Sequence, residues 1–131
     1  EMAEVAFNKY LLWENLHEVK PILLEQPLVS EQYQYGGTPD NLCLLDGRTT
    51  LIDYKTGKGI YPEMMYQVAA YAWLLTEHGY INGPHSLRIL RIGRDEDEGF
   101  EDREVNGASE LFQVFLHCLK IYSLKKQLKI R

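Results

Sequence analysis

The sequence predicts a mixed α/β fold in which helices flank a central sheet. Asp46–Gly47 lies between two apolar runs, and this dipeptide strongly favours a two-residue hairpin turn. Helical patterns precede and follow the hairpin, and a further strand pattern separates two of them. The resulting order, α-β-β-β-α-β-(β)-α, is typical of helices packed on a sheet, and the 131 residues are expected to form a single domain, 1–131.

The amino-terminal half is predicted to contain one helix followed by strands. Helical spacing of apolar residues covers residues 3–17, and Pro21 ends that pattern. Residues 22–34 look extended because they are rich in Ile, Leu, Val and Tyr. The two strands of the hairpin are predicted to be Asn41–Leu45 and Thr49–Tyr54.

The carboxy-terminal half is predicted to contain two long helices. Pro62 is a favoured first helical residue, the following residues favour helix as far as His78, and Gly79 is placed to cap the end. The remaining predicted elements are a strand over 86–93, a short returning strand over 100–105, and an amphipathic helix over 108–128 whose apolar side includes Leu111, Phe115, Cys118, Leu119 and Tyr122.

Composition excludes several classes of protein. No stretch is long and apolar enough to span a bilayer, and residues 1–20 carry charges throughout, so we expect neither a membrane partner nor a signal peptide. Cys43 and Cys118 cannot build a four-cysteine zinc or iron–sulfur site, and free thiols fit a cytoplasmic location. Because the chain starts at Glu1 rather than Met, the domain is expected to lack some upstream residues.

Charge is distributed unevenly along the chain. The formal net charge is −5, whereas most DNA-binding proteins are basic. Seven acidic residues crowd between Asp95 and Glu104, but none follows Glu110. The basic residues of this last segment are Lys120, Lys125, Lys126, Lys129 and Arg131. This tail is consistent either with a solvated helix face or with contact to a phosphate backbone.

The predicted hairpin brings three charged side chains together. With a turn at residues 46–47, facing partners have numbers that sum to 93, so Asp40 faces Asp53. Their Cβ atoms should lie about 4.5–5.5 Å apart on one face of the sheet. Lys55 is two residues beyond Asp53 and therefore projects from the same face.

This combination suits metal-assisted phosphodiester hydrolysis. Two carboxylates at that separation repel each other unless a cation lies between them. Oxygen ligands of this kind suit Mg²⁺ or Mn²⁺, which can polarise a phosphoryl oxygen and activate a water. A neighbouring lysine can stabilise the charge that develops during attack. The alternative interpretation is a structural Asp–Lys pair at the end of a strand.

At these positions the chain resembles the PD-(D/E)XK nuclease superfamily. The segments Gly36-Gly-Thr-Pro-Asp40 and Asp53-Tyr-Lys55 look like its signature, and Gln67-Val-Ala-Ala-Tyr71 is similar to the Q-x-x-x-Y motif of the RecB-like exonuclease branch. The match covers roughly residues 22–75, and the order of elements extends it to most of the chain. The resemblance implies a restriction-endonuclease-like core with a mixed central sheet.

The resemblance also implies a role for each matched residue. Asp40, Asp53 and the backbone carbonyl of Tyr54 would be metal ligands, and Lys55 would be the catalytic lysine. Gln67 and Tyr71 lie one helical turn apart and would hold substrate or catalytic groups.

Relatives often carry a further metal ligand upstream of the hairpin. Glu25 is the first candidate for an additional acidic ligand, and Glu31 is the second. Many RecB-like members carry a histidine on the first helix, where His17 is the one histidine available, although it comes late in the helix. The iron–sulfur cysteines of some relatives are absent from the sequence.

The sequence therefore predicts a Mg²⁺- or Mn²⁺-dependent deoxyribonuclease, with exonuclease action favoured. Its partner would be single- or double-stranded DNA during recombination, repair or phage DNA processing, in a bacterial or phage-infected cell. Two alternatives stay open. One is a nuclease fold that binds nucleic acid or acts as a scaffold without turnover, and the other is a subunit of a homo-oligomer or larger nuclease complex.

Overall fold

A computed structural model of the chain describes residues 2–95 and 97–131, with side chains described from Ala6 onward. The elements in chain order are α1 (Met2–Leu16), β1 (Val19–Leu24), β2 (Leu28–Ser30), β3 (Tyr35–Gly37), β4 (Asn41–Leu45), β5 (Arg48–Thr56), α2 (Pro62–Glu77), β6 (Ser86–Ile92), β7 (Phe100–Val105) and α3 (Ala108–Leu128). None of the helices within these described ranges is both long and apolar enough to cross a membrane.

Five strands form a mixed central sheet in the order β1-β4-β5-β6-β7. Among the described strands, β5 and β6 form the only parallel pair of this sheet, and α2 connects them. The other neighbouring pairs, β1–β4, β4–β5 and β6–β7, are antiparallel. Strands β2 and β3 form a separate two-stranded sheet. The predicted mixed α/β architecture is confirmed, including the short returning strand β7.

Each face of the central sheet is covered by helix. On one face, α2 packs through Val68, Leu74 and Leu75 onto sheet residues such as Leu51 and Ile89. On the opposite face, the Trp13 side chain of α1 lies in a second apolar cluster, whose sheet members are Cys43, Leu45, Ile52 and Leu90. Residues alternate between these faces because successive strand side chains point in opposite directions. The sheet is consequently buried on both sides, which explains the continuous apolar runs of β4 and β5.

The ends of α2 follow the signals in the sequence. Pro62 is the first helical residue, where its missing N–H costs no hydrogen bond. His78 is the C-cap, and Gly79 follows with a φ of 81°. A left-handed residue just after a helix is most often glycine, because glycine has no Cβ to clash there. The predicted helix is confirmed to within one residue at each end.

The segment before the hairpin differs from its predicted continuous extended form. Pro21 lies inside the edge strand β1, where the missing N–H is tolerated, and the register of β1 shifts between Pro21 and Leu23. Residues 31–34 form the turn between the short strands β2 and β3 instead of an extended run. Gln34 has a φ of 60° there, and its N–H donates to Ser30 O at 2.9 Å.

Apolar periodicity overestimated the burial of both terminal helices. Leu12 and Leu16 of α1 are 62% and 81% exposed, while Trp13 is buried. No residue of α3 is fully buried, and Tyr122 at its carboxy-terminal end is 64% exposed. Cys118, which lies on the predicted apolar side of this helix, is also exposed. The carboxy-terminal half of α3 therefore carries an apolar pattern without being covered.

Candidate active site

The β4–β5 hairpin places the two candidate carboxylates at its open end. Its register is unbroken from Leu45↔Arg48 to Asn41↔Ile52, so the predicted sum of 93 is confirmed for every pair within the two strands. Asp40 comes immediately before β4, and its Oδ2 accepts the backbone N–H of Tyr54 at 2.9 Å. This hydrogen bond holds the Asp40 carboxylate at the level of residues 53–54 on the neighbouring strand.

Asp53 is a buried carboxylate with an incomplete set of partners. Its side chain lies on the α2 side of the sheet and the residue is 1% exposed. Lys55 Nζ is 3.1 Å from Asp53 Oδ2, but that oxygen accepts no hydrogen bond of good geometry from the described residues. Burial raises the pKa of Asp53 to about 6; the charge of Lys55 opposes this rise, and the proximity of Asp40 adds to it.

Lys55 is held between the sheet and α2. Besides its ion pair with Asp53, its Nζ donates a hydrogen bond to Gln67 Oε1 at 2.5 Å. The lysine side chain is 23% exposed, so the ammonium group has limited freedom but retains access to solvent. Gln67 therefore fixes the position of Lys55 from the helix that covers this face of the sheet.

Tyr71 lies one turn beyond Gln67 on α2 and faces the same carboxylates. Its pKa is raised above the usual tyrosine value, first by burial and then by the negative charges of Asp53 and Asp40. The Tyr71 ring packs directly on Gly37. A Cβ atom added at Gly37 would lie 2.5 Å from Tyr71 Cε1 and 3.0 Å from Cδ1. The glycine thus leaves room for the ring beside the candidate site.

The structure brings together five residues singled out from the sequence, namely Asp40, Asp53, Lys55, Gln67 and Tyr71. Sequence reasoning assigned no role to Gly37, although it belongs to the Gly-Gly pair of the quoted motif. Its function as a packing site for Tyr71 depends on a contact between β3 and α2, which sequence spacing does not reveal.

Glu25 is joined to the site through its backbone. Its N–H donates to Asp40 O at 2.9 Å, and its φ of 46° is in the left-handed region. The Glu25 side chain is exposed. Among the described residues, no three His, Cys, Asp or Glu side chains are grouped closely enough to hold a metal ion. The roles of Glu25 and of the Tyr54 carbonyl oxygen as additional ligands beside Asp40 and Asp53 remain predictions.

The two weaker candidates lie elsewhere. The N–H of Glu31 donates to Glu77 Oε2 at 3.0 Å, and Glu77 is ten residues beyond Gln67 on α2, which is about 15 Å along the helix. His17 Nδ1 is 2.6 Å from Asp46 Oδ2 at the turn of the hairpin, roughly 20 Å along β5 from Asp53. The structure thus brings neither Glu31 nor His17 to the carboxylates.

Arginines of β6 and of the loop after it contact the acidic segment that follows β6. Arg91 is 7% exposed, and it donates to the carbonyl oxygens of Gly57 and Glu98 at 2.7 and 2.5 Å. Arg88 pairs with Asp102 at 2.8 Å. Arg91 also pairs with Glu101 at 3.4 Å, so both arginines of β6 neutralise acidic residues of the adjacent strand β7.

The sequence matches no protein-family model and no curated protein. The functional interpretation consequently rests on the residues themselves and on the geometry that holds them.

Proposed function

We propose that the chain is a metal-dependent deoxyribonuclease of the PD-(D/E)XK type, in its RecB-like branch. The observation that carries the proposal is the convergence of Asp40, Asp53 and Lys55 at the open end of one hairpin. A structural Asp–Lys pair would explain Asp53 and Lys55 alone. It would not explain a second carboxylate at the same level, or a helix that supplies Gln67 to the lysine.

The donor atoms fit a hard divalent cation. Asp53 is buried, and its Oδ2 accepts no hydrogen bond of good geometry from the described residues although Lys55 Nζ is 3.1 Å away, so a divalent cation at this oxygen would further offset the cost of burying the charge. Asp40 and Asp53 would supply the carboxylate ligands, with the carbonyl oxygen of Tyr54 beside them. Mg²⁺ commonly takes only one or two carboxylates and completes its shell with water and substrate phosphate. When bound, such an ion polarises a phosphoryl oxygen and lowers the pKa of a coordinated water.

The remaining residues position charge around the scissile phosphate. Gln67 accepts a hydrogen bond from Lys55 and so restricts the ammonium group to the side of the carboxylates. From there Lys55 can donate to a phosphate oxygen and stabilise the negative charge that develops during attack. Tyr71 packs on Gly37 and lies within the electrostatic field of both carboxylates.

DNA is the proposed substrate, and exonuclease action in recombination, repair or phage DNA processing is the proposed context. Both come from the resemblance of the Asp40, Asp53–Lys55 and Gln67–Tyr71 motifs to RecB-like exonucleases. Stepwise release of nucleotides from a labelled end would support exonuclease action. Cleavage of closed circular DNA would instead indicate an endonuclease.

The proposal is tested with end-labelled single- and double-stranded DNA in the presence of Mn²⁺ or Mg²⁺. The parent chain should cleave, EDTA should stop cleavage, and Lys55→Ala and Asp53→Ala should each lower the rate by at least about 100-fold. Lys20→Ala is a matched control, since Lys20 is an exposed lysine on the edge strand. DNA binding that is insensitive to EDTA, with no cleavage by the parent, would instead indicate the non-catalytic binding module.

A further inference from the structure

The first half of α3 packs against the rest of the domain, whereas its carboxy-terminal half extends beyond these contacts. In the first half of the helix, Phe112 stacks on Trp73 with ring centroids 5.7 Å apart, and Phe115 packs on Tyr35 at 4.8 Å. Positions 115, 119, 122 and 126 share one side of a helix with 3.6 residues per turn. Tyr122 is nevertheless 64% exposed. The face that docks at Phe115 therefore continues beyond the body as an uncovered ledge.

This ledge combines one aromatic ring with several cations. Tyr122 lines a surface cavity of about 480 Å³ together with Lys125, Lys126, Ile130 and Arg131. Lys129 has a φ of 57°, and the N–H of Ile130 donates back to Lys125 O at 2.9 Å. The last residues thus turn back against the helix and bring Arg131 beside the lysines. We call Tyr122, Lys125, Lys126, Lys129 and Arg131 the basic ledge.

Positive charge is concentrated in this part of the molecule. Residues 111–131 contain five Lys and Arg side chains and no Asp or Glu, so with a total of −5 the other 110 residues carry a formal net charge of −10. None of the ion pairs within the described ranges uses a cation of the basic ledge. An acidic body repels DNA, so a polyanion is attracted mainly to this ledge.

We propose that the basic ledge binds an unpaired DNA strand, with its cations on the phosphates and Tyr122 stacked on a base. This inference deepens the proposed nuclease function by assigning the substrate a binding surface outside the carboxylate site. The ledge is connected to that site through shared elements: it begins two helical turns beyond Phe115, and Phe115 contacts Tyr35, which lies two residues before Gly37, the packing partner of Tyr71. An exposed ring among cations is the arrangement that binds single strands without sequence preference.

A charged membrane surface or a second copy of the chain fits less well. Ile121, Leu124 and Leu128 form an exposed apolar row on the other side of α3, but Lys120 and Lys125 flank that row. Two copies packed through it would bring lysines together around the contact. The single aromatic ring of the basic ledge is not on the apolar row, whereas a membrane-bound helix places its apolar row and its rings on the same side.

The inference is tested by fluorescence anisotropy with a labelled 20-nucleotide oligo(dT) in EDTA, where neither metal nor cleavage contributes. The triple variant Lys125→Gln, Lys126→Gln and Lys129→Gln should bind at least about tenfold more weakly. Its log K against log salt slope should fall by about 2, since each lost phosphate contact on single strands removes about 0.7. Tyr122→Leu should weaken binding about tenfold with little change in slope.

The matched control removes the same number of charges elsewhere, with Lys9→Gln, Lys20→Gln and Arg48→Gln at exposed positions of α1, β1 and the hairpin turn. It should bind DNA like the parent. Equal losses in both triple variants, or no binding by the parent, would overturn the inference. So would binding of the parent to vesicles of anionic lipid, or dimerisation in sedimentation, that depends on the ledge lysines while DNA binding does not. Binding that needs the ledge, with no cleavage in Mn²⁺, would refute only the nuclease function.

Discussion

Asp53→Asn should stabilise the metal-free protein while removing its response to metal. The substitution keeps the size of the side chain but removes a negative charge from a residue that is only 1% exposed. A buried carboxylate that serves as a metal ligand lowers the stability of the folded protein when the metal ion is absent. A carboxylate that serves only as a structural partner of Lys55 should instead be stabilising, so the direction of the effect separates the two interpretations.

The magnitude follows from the pKa of Asp53. Burial raises it from 3.8 to about 6, and a difference of about two pKa units corresponds to about 3 kcal/mol. Because the folded pKa lies above the unfolded value, the folded state binds the proton more tightly. Its stability therefore falls as the pH rises from about 4 to about 6 and stays low above that. Asp53→Asn should gain up to about 3 kcal/mol at pH 8 and nothing near pH 4.

Thermal unfolding at pH 4, 6 and 8, in EDTA and in excess Mn²⁺, measures this effect. In EDTA at pH 8 the variant should melt roughly 3–10 °C above the parent. In Mn²⁺ the parent should gain stability through metal binding, and the variant should gain far less. Asp46→Asn is a control of opposite sign, because hydrogen bonds from His17 and from the Glu18 N–H lower the pKa of Asp46. A variant that is less stable than the parent at pH 8 in EDTA would refute the reasoning.

Three other predictions concern the same site. Gln67→Leu should lower the cleavage rate by about tenfold or more with little change in Tm, because Lys55 loses the acceptor that positions it; an unchanged rate in the DNA assay would contradict this. Gly37→Ala should displace the Tyr71 ring and cost about 1–3 kcal/mol in chemical unfolding, whereas Gly83→Ala, where an added Cβ meets nothing within 4 Å, should be nearly neutral; equal effects would refute the packing role. Mn²⁺ affinity measured by calorimetry should fall by up to tenfold per pH unit below about 6, since the ion binds ionised Asp53, and a flat profile from pH 5 to 8 would argue against Asp53 as a ligand.

Local signals in the sequence determined most of the fold around the site. The turn at Asp46–Gly47 fixed the register of β4 against β5, and Pro62 and Gly79 marked the ends of α2. These features depend on a few neighbouring residues, so the sequence contains the necessary information. Asp40 lies just beyond this ladder, and its carboxylate still comes close to Asp53 and the Tyr54 N–H.

Features that depend on distant contacts were not predictable in this way. Burial of Arg91 requires acceptors from Gly57 and Glu98, which lie on different loops. The exposure of Leu12 depends on which side of α1 faces the sheet, since the neighbouring Trp13 is buried, and the exposure of Tyr122 depends on where the packed part of α3 ends; helical periodicity determines neither. The packing of Gly37 on Tyr71 likewise joins β3 to α2 across more than thirty residues of sequence.

The most direct test of the central claim is a crystal structure of the chain soaked in Mn²⁺, with the ion located by its anomalous scattering. A peak within about 2.0–2.5 Å of carboxylate oxygens of both Asp40 and Asp53, next to Lys55, is the expected result. Absence of any such peak at a Mn²⁺ concentration that supports cleavage, or a peak bound only by other residues, would contradict the assignment of these two carboxylates as the metal site.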